Sequence, residues 1–222
     1  MSKLSEAEFK CPQCQHEGTF RMWESVNSTL DPELREKIFT EELFSYECPE
    51  CHKTFYLAYG FLYHDMDHKF MLFFDFNHPD DFDYKEEQVT PDLFCMTGSY
   101  LFRRVYGLME LKEKILILEH GLNDIAVERL KYMVATQDFP EIGKAGCRLY
   151  FDGIGPKTEH TPRGTINLFY RNESEDKTES LSAPMEIYYN FCLACEIDPR
   201  MKVNGLQCVD FGFMKRQFGN EE

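Results

Sequence analysis

Apolar and polar residues alternate over Glu17–Asn27, with Phe20, Met22 and Val26 on one side, and this pattern predicts a half-buried strand. Asp31, Pro32 and Glu33 supply an N-cap, a first-turn proline and an acid at the positive dipole end. Leu34, Ile38 and Phe39 then share a face, so a short helix is predicted. Leu43–Glu47 and Thr54–Tyr59 read as strands, and Lys69–Phe76 is the most apolar strand candidate. Residues 77–92 are acidic, contain prolines and lack apolar periodicity, which predicts a surface loop and linker. Leu108, Leu111, Ile115 and Leu118 recur at helical spacing up to Gly121, and Ile125, Leu130, Met133 and Val134 recur after a cap at Asn123. The short connection predicts a helical hairpin. Arg148–Asp152, Thr165–Tyr170 and Gln207–Phe213 read as strands, Asn172–Ser180 as an exposed loop, and Pro184–Glu196 as a helix.

The expected fold class is therefore α+β. Residues 1–90 would form an N-terminal, zinc-ribbon-like antiparallel sheet, 91–140 a central helical hairpin, and 141–222 a C-terminal mixed β/α region packed with it. The 222 residues are 43% hydrophobic, with 20 Phe and 12 Tyr, enough for a real core. The opening ten residues are polar and no apolar run reaches membrane-spanning length, so a secretory signal and a membrane span are not expected, and the cytoplasm is the expected compartment. The formal charge of −15, with no basic segment, makes nucleic acid an unfavoured partner; a basic or protein partner fits better. Partner identity and oligomeric state are not legible in the residues.

Nine cysteines, an odd number, argue for reduced thiols over a disulfide framework. Cys11-Pro12-Gln13-Cys14 and Cys48-Pro49-Glu50-Cys51 form two CPxC knuckles separated by residues 15–47. Thiolates at i and i+3 of a tight turn reach one Zn²⁺, and two such turns complete a closed tetrahedron. Proline fixes φ after the first cysteine, and the turn N–H groups face the sulfurs. Closing the intervening loop costs roughly 3 kcal/mol, whereas structural zinc sites yield about 10–16 kcal/mol. Zinc held by Cys11, Cys14, Cys48 and Cys51 is therefore the expected cofactor. Gln15 and His52 follow the second cysteines where glycine is common, so both are expected at positive φ.

The knuckles, together with Trp23-Glu24-Ser25-Val26-Asn27, Asp31-Pro32-Glu33-Leu34, Tyr63-His64-Asp65-Met66 and the stretch from Leu111-Lys112-Glu113-Lys114-Ile115 to Gly121-Leu122-Asn123-Asp124, resemble the bacterial CpXC family over roughly residues 9–135. The resemblance implies zinc ligation by the four knuckle cysteines and brings no activity with it.

Other constellations are weaker. His64 and His68 would share a helical face and, with Asp65, Asp67, Asp75, His78, Asp80, Asp81 and Asp83, could build a second, catalytic metal site; a solvated acidic turn is the plainer reading. Cys192 and Cys195 align with Tyr188 on one helical face and read as core packing, with a redox pair or a partial metal site with Cys208 as the alternative. Cys95 and Cys147 carry no adjacent base. The series Phe55, Tyr56, Tyr59, Phe61 and Tyr63 reads as packed sheet core in preference to a base-stacking surface. No nucleotide-binding or hydrolase motif is present. The leading expectation is a non-enzymatic zinc protein acting as a protein-interaction or regulatory module. The alternatives are a metal-dependent enzyme built on the His64/His68/Asp cluster and a thiol redox sensor that releases zinc.

Overall fold

The computed structural model describes residues 1–77, 100–144, 147–172, 177–203 and 205–219. Most of the predicted linker, Cys95 and the acidic stretches at 80–87 and 173–176 lie outside the described residues. The described residues form an α+β protein with three sheets and six α-helices. They divide into two compact units, one holding 1–77 and 100–108, the other 109–219.

The first unit is built on a five-stranded sheet in the order β1 (Lys3–Lys10), β2 (Glu17–Asn27), β5 (Phe61–Asp65), β6 (Phe70–Asp75), β7 (Leu101–Tyr106). The antiparallel expectation holds for β1–β2 and β5–β6, but β2–β5 and β6–β7 are parallel, so the sheet is mixed. A parallel neighbour requires a long crossover. The one between β2 and β5 carries α1 (Pro32–Phe39) and the separate hairpin β3 (Ser45–Glu47) and β4 (Thr54–Tyr56). Helix α1 buries Leu34 and Ile38, as its spacing predicts. Asp31 makes no side-chain cap; its carboxylate instead accepts the Ser2 N–H at 3.3 Å. Strand β1 was hidden by its polar composition: only Ser5, Ala7 and Phe9 turn inward, and eight paired positions along β2 hold it. Phe44, Tyr63, Phe70 and Leu72 are fully or almost fully buried beneath the sheet's apolar alternation.

The second unit begins with α2 (Leu108–Glu119) and α3 (Asp124–Met133). Gly121, at φ +66°, ends α2 with N–H bonds from Gly121 to the Leu118 carbonyl and from Leu122 to the Ile117 carbonyl, a Schellman closure. Asn123 caps α3 through its side-chain oxygen, which accepts from Ile125 and Ala126 N–H. After α4 (Pro140–Lys144) come β8 (Leu149–Gly155), β9 (Thr165–Asn172) and β10 (Lys177–Pro184), a fully antiparallel sheet ordered β10-β9-β8. Helices α5 (Met185–Ile197) and α6 (Phe211–Phe218) complete the unit. Ile117, Ala126, Leu130, Phe151, Ile166 and Leu168 form its main core.

Two expectations in this unit are corrected. Lys177–Ser180 is strand, because complete register with β9 outweighs its low apolar content. Residues 207–213 do not form a closing strand: Asp210 accepts the Phe213 N–H at 2.8 Å, and Phe213, Met214 and Phe218 bury one face of α6.

Candidate metal centre

Each CPxC turn closes a β-hairpin, Cys11–Cys14 between β1 and β2 and Cys48–Cys51 between β3 and β4. The two turns repeat one hydrogen-bond scheme. Cys11 N–H donates to the His16 carbonyl at 2.8 Å and Gln15 N–H to the Cys11 carbonyl at 2.8 Å; Cys48 and His52 do the same to Lys53 and Cys48 at 2.9 Å. Gln15 and His52 both sit in the left-handed region, at φ +63° and +55°, as anticipated from their positions. These two left-handed residues reverse the backbone after each knuckle, in turns whose sulfurs converge.

Cys11 Sγ lies 3.7 Å from Cys51 Sγ, and Cys14 Sγ lies 3.6 Å from Cys48 Sγ. All four sulfurs fall within 4.8 Å of one another. Sulfurs placed about 2.3 Å from a central ion define a tetrahedron with edges of about 3.8 Å, so the spacing suits one zinc-sized ion bound by four thiolates. A four-cysteine cluster of this kind can hold a metal ion, and the soft sulfur donor set is consistent with zinc. Cys11 and Cys48 are completely buried, Cys51 is half-buried and Cys14 is exposed.

Burial opposes the Cys11 thiolate, but N–H groups of Cys14 and Gln13 aimed at its sulfur outweigh this and bring its pKa down to about 7. Cys48 moves down for the matching reason, burial being outweighed by the N–H groups of Cys51 and Glu50. Cys14 moves the other way: the His16 N–H favours its thiolate, but burial and the neighbouring sulfurs of Cys11, Cys48 and Cys51 push it up to about 12. Cys51 is also raised, by burial and the Cys11 and Cys48 sulfurs against the Lys53 N–H. One cysteine per knuckle thus ionises readily, and like-charge repulsion keeps the other protonated until a cation displaces the proton.

Aromatic rings fasten the two hairpins together around the sulfurs. Phe9 of β1 meets Tyr46 of β3 edge-on at 4.6 Å and Phe55 of β4 at 5.6 Å, and Phe20 of β2 meets Tyr46 at 6.0 Å. Burial, and then the four sulfur charges, raise the Tyr46 phenol and keep it neutral. A Cβ at Gly18 would lie 2.8 Å from the Tyr46 hydroxyl, so a larger residue there would displace the Tyr46 ring from its place over the sulfurs' hairpins. Phe9, Gly18 and Tyr46 escaped the sequence reading, and the alternation of Ser5, Ala7 and Phe9 was the signal that held the first of them. Of the expected aromatic core series, Phe61 and Tyr63 are buried and Phe55 and Tyr59 half-buried, whereas Tyr56 is exposed; Phe44, Tyr59, Phe61 and Phe74 form one aromatic cluster with centroid separations of 5.2–6.2 Å.

His64 and His68 share no helical face, since His64 is on β5 and His68 in the turn before β6. Asn27 Oδ1 accepts the Leu30 N–H at 3.1 Å, so its amide N–H donates to His64 Nδ1 at 3.4 Å. That assigns the proton to Nε2, which faces the Tyr100 hydroxyl at 3.3 Å. Burial lowers the His64 pKa and keeps the ring neutral. His68 Nδ1 is bound to Asp65 Oδ2 at 3.0 Å. Both ring nitrogens of His64 and one of His68 are therefore engaged, and among the described residues Cys11, Cys14, Cys48 and Cys51 are the group whose ligand atoms converge on a metal-sized volume. His78, Asp80, Asp81 and Asp83 lie outside those residues.

Cys192 and Cys195 pack against the second unit's core, beside Tyr188. Burial raises both thiols, that of Cys195 to about 12, which leaves them as packing groups. Cys208 is buried and raised for the same reason, and Cys147 is half-buried against the core. Among the described residues no helix is long and apolar enough to cross a membrane.

No curated protein and no solved structure matches the chain. A family profile described as "CpXC protein" matches residues 9–131, a span that takes in both knuckles and runs through α2 into α3. With more than half of its length matched and with both CPxC turns meeting at one sulfur cluster, the chain belongs to the CpXC protein family.

Proposed function

We propose that Cys11, Cys14, Cys48 and Cys51 bind one Zn²⁺ in a closed structural site, and that the protein is a non-enzymatic, cytoplasmic protein-interaction or regulatory module. The single observation behind this reading is the convergence of the four sulfurs at zinc-compatible separations from two independent hairpins. Four protein thiolates leave a tetrahedral ion no open position, so its contribution is to hold the two hairpins together. In this reading the β1–β2 and β3–β4 turns form the zinc ribbon, α2 and α3 the central helical hairpin, and 1–90, 91–140 and 141–222 the working regions. The formal charge of −15 favours a basic protein surface as partner over nucleic acid.

Native mass spectrometry of the purified full chain tests the site. We expect one zinc per chain, lost in Cys14→Ser and in Cys48→Ser. It should persist in Cys192→Ser and in the His64→Ala/His68→Ala double variant. Zinc retained by both knuckle variants, or a second equivalent that disappears with the histidines, would overturn the reading.

A further inference from the structure

Five charged side chains are almost completely sequestered in the second unit. Glu113 and Lys114 come from α2, and Asp124, Glu128 and Lys131 from α3, each between 2% and 4% exposed. Helical periodicity assigns such residues to the solvated faces, yet the charged sides of the two helices are turned inward. Lys131 Nζ donates to Glu113 Oε1 at 2.7 Å and to Glu128 Oε1 at 3.0 Å. Lys114 Nζ donates to Asp124 Oδ2 at 3.1 Å and to the Val209 carbonyl at 2.8 Å, with Glu128 Oε1 at 3.8 Å. Glu113 Oε1 also accepts the Phe151 N–H at 2.6 Å.

Two features of this arrangement do not balance. Among these five groups three carboxylates face two ammonium groups, so full ionisation would leave them one negative charge in excess, away from water. Glu128 Oε2 is buried and has no hydrogen-bond partner, although Oε1 of the same carboxyl faces both lysines. Both features meet at one oxygen atom.

We propose that this oxygen is a proton-binding site: in the folded protein Glu128 takes a proton from solvent onto Oε2, leaving two ammonium groups balanced by the carboxylates of Glu113 and Asp124. No other bond is made or broken. Release of the proton returns the excess negative charge to the interior, so the helix pair responds to pH through one carboxyl.

The groups around Glu128 leave this proton with no competing acceptor of comparable placement. Lys131 on its own helix and Lys114 on α2 are donors, and Glu113 is already shared between Lys131 and Phe151. Ahead of α6, the Cys208 thiol is held neutral by burial and by the carboxylates of Asp210 and Glu128. On β8, Tyr150 is a neutral phenol raised by burial and by Glu110 and Glu113, and on α5 Cys195 is a neutral thiol beside Asp124. Burial is the largest influence on the Glu128 carboxyl itself; it outweighs the nearby lysines and lifts its pKa to about 7.

Carbon-13 NMR of glutamate-labelled, zinc-loaded full chain reads the site directly. We expect one glutamate carboxyl signal to titrate near pH 7, separated from the rest by more than two pH units, and to vanish in Glu128→Gln. Glu128→Asp keeps a carboxyl there while removing its signal from the glutamate set, so it makes the same assignment should Glu128→Gln fail to fold. A wild-type spectrum in which every glutamate titrates below pH 6, or a high-pH signal that survives either substitution, would overturn the proposal.

Discussion

The two units face one problem, charge that must be kept away from water, and they solve it in opposite ways. In the first unit four cysteine sulfurs converge within 4.8 Å of one another; backbone N–H groups favour the thiolates of Cys11 and Cys48, and like charge keeps Cys14 and Cys51 protonated. In the second, lysines and carboxylates cancel one another within the chain, apart from one Glu128 oxygen. On the readings proposed above, a cation from outside would complete the first arrangement and a proton the second. Folding of the first unit should therefore track metal supply, and folding of the second should be indifferent to it.

Metal removal would break the comparison most decisively. Chelation, or Cys48→Ser, should forfeit a stabilisation of the order of 10 kcal/mol, more than a small unit of this kind holds in reserve. Hydrogen exchange should then show unprotected amides throughout β1–β4, with α2, α3 and β8–β10 retaining protection. Equal loss of protection in both units would show that the contrast is false.

Next in size is the loss of one member of the buried network. Lys131→Met leaves Glu113 and Glu128 without their shared donor, and removing one partner of a buried ion pair costs about 3–5 kcal/mol. Adding Glu128→Gln should recover part of that loss, because the excess charge is removed as well. Denaturant unfolding of the single and double variants measures the coupling, and strict additivity would mean that Lys131 and Glu128 do not interact. Zinc content should be unchanged in both.

These same two regions differ in how much of them could be read from residues alone. The knuckles were legible because CPxC encodes a turn, a donor pair and a φ constraint locally, and Gln15 and His52 sit where that constraint places them. Helices α2 and α3 were legible through Gly121 and Asn123, which act within one turn of the chain. Glu113, Lys114, Glu128 and Lys131 were not, because partners such as the Phe151 N–H and the Val209 carbonyl are 38 and 95 positions away. Strand β1 and the Phe9–Tyr46 contact were missed for the same reason: long-range pairing overrides a polar composition. Residues 207–213 failed differently, since a run that short fits either periodicity and the Asp210 cap decides it.

The pH response should sharpen the contrast, because its sign differs between the units. Acid protonates thiolates, so metal affinity and the stability of the first unit fall as pH drops. Glu128 has its folded pKa raised to about 7 from an ordinary 4.5, so the folded state binds the extra proton. Its contribution is fully present below the ordinary value and is lost as pH rises through the folded one. Between pH 5 and 8, then, unfolding of the second unit should become easier with rising pH, and Glu128→Gln should flatten that slope. A second unit that grows more stable from pH 5 to 8 would contradict the assignment.

The smallest effect separates two helix starts that look equivalent as sequence. Asn123 caps α3 with real hydrogen bonds, accepting from Ile125 N–H at 3.0 Å and Ala126 N–H at 3.3 Å, while its own N–H donates to the Tyr188 hydroxyl at 2.8 Å. Asp31 occupies the same position ahead of α1 but caps nothing, its carboxylate reaching back to Ser2 instead. Asn123→Ala should therefore cost about 1 kcal/mol, as loss of a true cap does. Asp31→Ala removes only a long, partly exposed bond and the dipole interaction of one acid, worth at most about 0.5 kcal/mol in that setting. The N–H donors at the start of α1 lose no side-chain acceptor in the process, whereas those of α3 lose the one they share. Thermal unfolding of the two alanine variants decides the matter, and an Asp31→Ala loss equal to that of Asn123→Ala would show that α1 depends on its aspartate after all.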